Sequence, residues 1–370
     1  MYDHRSLPKE IWLEIFEWAT YNSSFPQDHH APFRDVPHHG DDSDLPVRAS
    51  LSGIRPGAHA LKRALEVRQP SGRSYGESVQ RVVLPYQSTV PTCFPLSLEI
   101  LGLCSYLHTL IRPQRSVFDG LNFDNEVMGV SLPSLQHLEW WHSNEAERSG
   151  GINSLGAVLR GAPNIHYLFI GGVVGTTTTL QERQNIILPH LRILRLYIRS
   201  GLFLRQIITR WSLPSLTHLV LDSPPVKDGL QEVWEVLGDR LETVEFGKHV
   251  RFWMNDCLTP CLKGCPNLKE LNYYLFFTAP PESTYVHSNL TTIGLHPHVN
   301  ALLDDGNSIW TLIDQHFEIL CGVSLPGLQR VVLHGDWGIL RHPRFAAIQE
   351  NLRNSGRELQ LSEQTQMRLI

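Results

Sequence analysis

Long apolar runs and blocks of like charge are both missing from this chain of 370 residues. No stretch reaches the roughly 18 to 20 apolar residues of a membrane-spanning helix. The formal net charge is -5 and the isoelectric point lies near 6.4, whereas a general nucleic-acid binder normally has a basic face. We therefore expect neither a membrane nor a nucleic acid among the partners.

Cysteine is scarce and scattered, with six residues spread over the whole length. Such a distribution fits reduced thiols inside a cell better than a disulfide framework. The first residues, Met1-Tyr2-Asp3-His4-Arg5, lack the apolar stretch of a secretory signal. We expect a cytoplasmic or nuclear protein.

Catalytic and cofactor motifs are missing as well. The sequence contains no G-x-S-x-G, no H-E-x-x-H and no G-x-G-x-x-G before a helix. The glycine-rich stretch 171–175 lacks a following Gly-Lys-Ser/Thr, so we interpret it as a flexible loop. We predict that the chain is not an enzyme and needs no cofactor.

Two groups of residues of the types that bind metals are not expected to form a metal site. The histidines and aspartates of 29–44 lie in a Pro/Gly-rich segment that cannot hold ligands at fixed geometry. Cys257, Cys261 and Cys265 recur every four residues without a fourth ligand, which favours small residues packing a helix against a sheet. The sequence predicts no metal site.

A leucine phrase, L-x-x-L or L-x-x-L-x-L, recurs along most of the chain. Examples are Leu135-Gln136-His137-Leu138 and Leu216-Thr217-His218-Leu219-Val220-Leu221. The first apolar residues of the phrases are Val79, Leu107, Leu135, Ile165, Leu191, Leu216, Leu241, Leu268, Leu290 and Leu328, with successive spacings of 28, 28, 30, 26, 25, 25, 27, 22 and 38. A phrase repeating about every 20 to 29 residues is typical of leucine-rich repeats.

The repeats predict an α/β solenoid over residues 61–370, a horseshoe with a parallel sheet on its concave side and helices outside. Helices are predicted at Ser154–Arg160, Leu202–Trp211, Gly229–Leu237, Trp253–Lys263 and Ile309–Cys321, the last inside the 38-residue gap. Residues Arg344–Asn354 and Glu358–Leu361 are interpreted as a terminal cap.

The N-terminal 22 residues predict one amphipathic helix. Ser6 suits the N-cap and Pro8 the first turn, and Ile11, Ile15 and Trp18 form an apolar stripe. So short a helix cannot bury this stripe alone and must dock on another surface. Residues 23–60 are rich in Pro, His, Asp and Gly and are interpreted as an irregular linker.

The segment 7–20, which begins Leu7-Pro8-Lys9-Glu10-Ile11-Trp12-Leu13-Glu14-Ile15-Phe16, resembles the first helix of an F-box. Together with the repeats it is similar to the F-box/leucine-rich-repeat proteins, particularly those of basidiomycete fungi. The resemblance implies a substrate-recognition subunit of a Skp/cullin/RING ubiquitin ligase. The adaptor contacts would be Leu7, Pro8, Ile11, Ile15 and Phe16, and the repeats would hold a protein substrate.

The resemblance ends after Arg48-Ala49-Ser50-Leu51. The family continues with a hydrophobic-Cys-x-x-Trp stretch, whereas this chain reads Ser52-Gly53-Ile54-Arg55-Pro56-Gly57, so the F-box is truncated. The alternative function is a repeat scaffold for protein-protein interaction, with a degenerate F-box and no role in ubiquitin transfer.

Residues that alternate with the leucines of each strand should point away from the core. We expect them to be exposed on the concave face and to bind substrate, since Trp, Tyr and Arg are enriched in binding hot spots. The candidates are Trp141, Phe169, Arg195, Tyr197, His218, Tyr274 and Arg330, with neighbours such as His137, Glu139, Asp222, Glu245, Asn272 and His334. The alternative is that they are merely residue types that favour strands, or that terminal loops cover them.

Overall fold

The computed structural model describes residues 61–68, 72–84, 94–114, 129–172, 185–198, 200–222, 228–247, 256–298, 306–335, 337 and 342–362. The predicted N-terminal helix, the adaptor contacts Leu7, Pro8, Ile11, Ile15 and Phe16, and the linker 23–60 lie outside the described residues. The described chain divides into two units. The first holds the described residues up to Leu191 together with Arg210–Pro214, and the second holds Arg192–Thr209 and the residues from Ser215 onward.

The fold class is α/β, with parallel strands and intervening helices. Four strands form the parallel sheet of the first unit in sequence order: β1 Arg81–Val83, β2 Thr109–Arg112, β3 His137–His142 and β4 Tyr167–Gly172. Two short strands of the same unit, β5 Ile186–Ile187 and β7 Trp211–Ser212, pair separately in parallel.

Seven strands form the parallel sheet of the second unit, again in sequence order. They are β6 Ile193–Tyr197, β8 His218–Leu221, β9 Thr243–Phe246, β10 Glu270–Tyr274, β11 Thr292–His296, β12 Arg330–Leu333 and β13 Glu358–Leu361. Two neighbouring parallel strands need a crossover connection between them. Here the rest of each repeat, after its leucine phrase, forms that connection.

The leucine phrase explains both the position and the register of these strands. Each of the ten phrase anchors lies two residues before a strand begins. The second apolar residue of each phrase sits opposite its counterpart in the next strand, as in Leu110↔Leu138↔Leu168 and Leu219↔Val244↔Leu271. These side chains are buried completely or nearly so. The prediction of one strand for each phrase is confirmed.

Eight α-helices lie between the strands within the described ranges, and a further helical stretch at 61–66 precedes β1. They are α1 Phe94–Leu103, α2 Asn144–Ser149, α3 Leu155–Gly161, α4 Gly201–Arg210, α5 Asp228–Leu237, α6 Leu258–Gly264, α7 Gly306–Cys321 and α8 Pro343–Asn354. Short 3-10 turns occur at Gly76–Ser78, Gly151–Asn153, Gly238–Arg240 and Leu275–Phe277.

The helices follow an apolar pattern of helical period. In α5, Leu230, Val233, Trp234 and Leu237 are buried at spacings of three and four, whereas Gln231 faces outward. The enlarged repeat contains α7, which is 16 residues long. The predicted helix Leu202–Trp211 ends one residue early because Trp211 begins β7. The helix predicted from Trp253 begins at Leu258 within the described chain.

Asparagines at the turns before the strands connect successive repeats. Asn164 Nδ2 donates to the Pro133 carbonyl at 2.7 Å in the first unit. In the second unit Asn267 Nδ2 donates to the Asp239 carbonyl at 2.7 Å and Asn289 Nδ2 to the Pro266 carbonyl at 2.8 Å. A side chain thus satisfies a backbone carbonyl of the preceding repeat, which fixes the register of the turns.

Candidate functional site

The side chains that alternate with the buried leucines form a second face on each sheet, which we call the ladder face. In the first unit it comprises Arg81, Val83, Thr109, Ile111, His137, Glu139, Trp141, Tyr167 and Phe169. In the second unit it comprises Ile193, Arg195, Tyr197, His218, Val220, Thr243, Glu245, Glu270, Asn272, Tyr274, Thr292, Gly294, His296, Arg330, Val332, Glu358 and Gln360. Asp222 and His334 directly follow β8 and β12.

Six of the nine ladder-face residues of the first unit are buried, and Arg81, Thr109 and Tyr167 are partly exposed, which corrects the expectation of an exposed face. Trp141 is 8% exposed and Phe169 1% exposed. Ile111 and Val83 on the neighbouring strands are buried too, and so is Glu139. Strands buried on both faces are typical of parallel sheets covered by a layer on each side. The sequence left open both an exposed face and one covered by other parts of the chain, and the burial of Trp141 and Phe169 agrees with the second.

The buried groups of this face contact one another. His137 Nε2 lies 2.9 Å from Glu139 Oε1, and the His137 ring stacks on Tyr167 with centroids 4.3 Å apart. Trp141 meets Phe169 edge to face at 5.5 Å. Gly171 belongs to β4 rather than to a loop, and a Cβ there would lie 2.5 Å from the Trp141 ring. Glycine at this position therefore makes room for the indole.

The ladder face of the second unit is more polar, and its charged groups pair between neighbouring strands. Arg195 donates to both carboxylate oxygens of Asp222, from Nε at 2.5 Å and from Nη2 at 3.1 Å. His218 Nε2 lies 2.6 Å from Glu245 Oε1. Arg330 is exposed and donates to Thr292 Oγ1 at 3.1 Å. Paired charges hold their side chains in fixed positions before any partner arrives.

A column of aromatic rings crosses three strands beside these charges. The rings of Tyr274 and His296 stack at 4.6 Å, and those of His296 and His334 at 4.8 Å. Phe277 extends the apolar side of the column, and with Tyr274 and Val220 it forms a buried cluster. Burial lowers the pKa of His334 to about 4, against a raising effect of Glu245. Burial, and next the charge that His334 carries when protonated, lower the pKa of His296, so both imidazoles are neutral at pH 7.

Gly294 lies between an amide and an imidazole in this column. A Cβ at Gly294 would lie 2.0 Å from Asn272 Oδ1 and 2.9 Å from His334 Nε2. Asn272 Nδ2 donates to Glu270 Oε1 at 2.9 Å, whereas its buried Oδ1 accepts no hydrogen bond within the described residues. Because glycine has no side chain, the Asn272 amide and the His334 imidazole can approach the backbone of β11 at Gly294.

The seven candidate substrate-binding residues divide between the units. Trp141 and Phe169 lie together in the first unit and are buried. In the second unit Arg195, Tyr197 and His218 are partly exposed, and Arg330 is exposed. Tyr274 is 2% exposed, so the expectation of exposure is wrong for this residue also. Their role in binding stays a prediction.

Sequence reasoning missed Gly294 and His296. The phrase Leu290-Thr291-Thr292-Ile293-Gly294-Leu295-His296 contains the signal, because alternation from Thr292 leads to both positions. Glycine carries no side chain to suggest a role, and the stacking of His296 on Tyr274 depends on the register between strands. The register follows from aligning neighbouring phrases, which pairs Tyr274 with His296.

Two of the three clustered cysteines are buried, as predicted for residues packing a helix. Cys261 and Cys265 are fully buried and Cys257 is partly exposed. Burial raises the pKa of the Cys261 thiol well above its usual value, so it is a poor metal ligand and nucleophile. Within the described ranges no three His, Cys, Asp or Glu residues are grouped to hold a metal ion.

None of the helices in the described part of the chain combines the length and apolar character needed to cross a membrane. A scan against known protein families matches none of them, and a search of the curated proteins also finds no match.

Proposed function

We propose that this chain is a protein-binding repeat protein that recruits substrates to a Skp/cullin/RING ubiquitin ligase. The sheets would belong to a leucine-rich-repeat solenoid with the ladder face on its concave side. The observation that carries the repeat assignment is the register of the leucine phrases, with one parallel strand for each phrase. Solenoids commonly bind partners along such a face.

The second unit supports a binding role for its ladder face. Four of its polar side chains are held in the Arg195–Asp222 and His218–Glu245 pairs, so these side chains lose little entropy when a partner binds. Arg330 is the most exposed of the candidate residues there and could contact a partner directly. Arg, Tyr and His side chains beside buried aromatic rings form the mixed polar and aromatic surface that protein partners favour.

The adaptor part of the proposal is supported by the sequence of residues 7–20 alone. Ile11 and Ile15 are four positions apart in the sequence, the spacing that an amphipathic helix needs when it docks in an apolar groove. The neighbouring Leu7, Pro8 and Phe16 match the same motif. The ligase would supply the chemistry, and this chain would supply proximity.

A binding assay with a purified Skp-type adaptor tests the adaptor contact. We expect the full chain to bind, and we expect Ile11→Asp plus Ile15→Asp to weaken binding by at least about a hundredfold, because each anchor of this kind is worth roughly 2 kcal/mol. Thr20→Asp adds one aspartate on the opposite side of the predicted helix, against two in the double variant, and should leave binding unchanged.

Failure of the unaltered, folded chain to bind the adaptor would favour the scaffold alternative. If the double variant and Thr20→Asp lost adaptor affinity equally, the proposed interface would be wrong. Circular dichroism of each variant, compared with the unaltered chain, separates these outcomes from a loss of folding.

A further inference from the structure

The first residues of the seven strands in the second unit form one row across the ladder face, which we call the first row. They are partners in register from strand to strand: Ile193, His218, Thr243, Glu270, Thr292, Arg330 and Glu358. All of them except Thr292 are exposed or partly exposed. The next ladder residues on β8 to β11 are Val220, Glu245, Asn272 and Gly294, which are buried. On these strands a partner therefore reaches the first row before any deeper part of the face.

Two charges of the first row stand outside any ion pair. On β6 and β9 the charged groups of the ladder face are held in ion pairs. Within the described residues, neither Glu270 nor Arg330 takes part in one. Glu270 is partly exposed and Arg330 is exposed, so both charges are accessible from solvent.

Arg330 is held toward Glu270 rather than toward its nearest acid. Its register partners are Thr292 on β11 and Glu358 on β13. A carboxylate is the stronger acceptor for a guanidinium, yet Arg330 Nη2 donates to Thr292 Oγ1 at 3.1 Å and forms no ion pair with Glu358. This single hydrogen bond fixes the guanidinium and leaves most of its N–H donors for a partner.

Glu270 is held by an amide that is itself incompletely satisfied. Asn272 Nδ2 donates to Glu270 Oε1 at 2.9 Å, whereas the buried Asn272 Oδ1 accepts no hydrogen bond from the described part of the chain. The reverse orientation would place the amide oxygen against the carboxylate. A buried acceptor without a hydrogen bond destabilises a fold, so stability does not explain Asn272. Positioning of the Glu270 carboxylate does.

We propose that Glu270 and Arg330 bind an extended segment of a protein partner that carries a basic and an acidic side chain about 10 Å apart. Two strand spacings of about 4.8 Å separate β10 from β12, which sets this distance. An extended segment covers it in about three residues. The basic side chain pairs with Glu270 and the acidic one with Arg330. The site rests on the proposed binding role of the ladder face and not on the ligase role.

The order of charges favours a protein segment over a polyanion. Along the first row the charges at Glu270, Arg330 and Glu358 are acidic, basic and acidic. A nucleic acid or an anionic membrane would be attracted by Arg330 and repelled by both acids. A segment with one base and one acid gains an attraction at Glu270 and another at Arg330, which gives specificity for the order of its charges.

Selection from random dodecapeptides displayed on phage tests the site on the full chain. We expect the selected peptides to be enriched in a basic and an acidic residue about three positions apart. Glu270→Lys plus Arg330→Glu keeps the net charge and exchanges the two charges. A selected peptide should bind this variant at least about tenfold more weakly in fluorescence anisotropy, because like charges then meet. Exchanging the basic and acidic residues within the peptide should restore its binding to the variant.

Glu242→Lys plus Lys269→Glu is the matched control. These two residues form an exposed ion pair directly before β9 and β10, so the control exchanges the same charges outside the first row. It should bind both peptides as the unaltered chain does. Circular dichroism checks the fold of each variant. If the charge-exchanged variant does not fold, Arg330→Gln removes one exposed charge and should abolish the preference for the acidic residue of the peptide.

Equal affinities of the unaltered chain and the charge-exchanged variant for both peptides would overturn the site, as would selected peptides without the paired charges. Peptides that lose binding in Tyr197→Ala but not in the charge-exchanged variant would support the binding role of the ladder face and remove the two-charge site. A dimer of the unaltered chain that dissociates on the exchange, seen by sedimentation, would make the site a contact between copies and overturn the partner. Adaptor binding by the same preparations tests the ligase role separately.

Discussion

Arg195 and Asp222 form a two-point ion pair on the ladder face of the second unit, with Nε 2.5 Å from Oδ2 and Nη2 3.1 Å from Oδ1. Their side chains are 15% and 7% exposed. The pair joins two neighbouring strands through residues 27 positions apart, the same separation as that of His218 and Glu245. The local repeat length is 25 residues, so each of these side chains meets an acid two positions beyond its register partner, Val220 for Arg195 and Thr243 for His218.

Breaking this pair should destabilise the second unit. Asp222→Asn leaves the Arg195 charge without its full carboxylate partner, and we expect it to lower the free energy of unfolding by about 1 to 3 kcal/mol. Arg195→Lys keeps the charge but loses the planar fork, so its effect should be smaller. Urea denaturation of both single variants and the double variant gives the coupling energy.

Glu232→Gln is the matched control for this prediction. Glu232 pairs with Arg205 across the same 27 positions, but on exposed helices, so its removal should change stability little. If Asp222→Asn and Glu232→Gln lowered the free energy of unfolding equally, burial would not strengthen the Arg195–Asp222 pair.

Acid should destabilise the protein between about pH 6.5 and pH 4 through its buried histidines. Burial lowers the pKa of His316 to about 4, although its hydrogen bond to the Thr278 carbonyl opposes the shift. An unfolded histidine has a pKa near 6.5, so the unfolded state binds more protons in this range. The stability is therefore fully present above pH 6.5 and is lost as the pH falls toward 4.

The expected loss is about 2 kcal/mol for His316 between pH 7 and pH 5. His334 and His296 should add to it in the same direction, because burial lowers their pKa values also. Chemical denaturation at the two pH values measures the sum. His316→Gln should flatten the dependence, whereas His108→Gln, at an exposed position, should leave it unchanged. An equally steep dependence in His316→Gln would contradict the assignment.

The strands and most helix positions could be predicted from the sequence because they depend on local spacing. A strand begins two residues after each anchor. The alternation of leucines within a phrase indicates which side of that strand is buried. The burial of Trp141 and Phe169 could not be predicted in the same way. Alternation shows which residues share a face, whereas burial depends on what lies above that face, and this is decided by residues distant in sequence.

Gly294→Ala should destabilise the second unit because the new methyl group has no room. A Cβ there would lie 2.0 Å from Asn272 Oδ1, so the amide must move against packed neighbours. We expect a loss of about 1 to 3 kcal/mol in the free energy of unfolding, measured by urea denaturation. Asn272→Ala in the same chain removes the clashing oxygen and should restore part of the loss.

Gly102→Ala is the control for the glycine prediction. Gly102 lies exposed in α1, and no heavy atom lies within 4 Å of a Cβ built there. Alanine should therefore raise stability by up to about 1 kcal/mol through its helix propensity. A Gly294→Ala variant as stable as Gly102→Ala would contradict the proposed close approach.

Arg357 should be a main support of the C-terminal repeat, because its guanidinium caps the end of α7. It donates to the Leu320 carbonyl in the last turn of α7 and to the Gly322 and Leu325 carbonyls in the segment that follows. Arg357→Ala leaves these acceptors without a partner and should cost about 2 to 3 kcal/mol, and Arg357→Lys should recover only part because an ammonium cannot span all three. Hydrogen exchange at β13, whose strand begins one residue later, should rise in Arg357→Ala. Arg353→Ala removes an exposed arginine from the same region and should leave both exchange and stability unchanged, so equal effects of the two substitutions would refute the capping role.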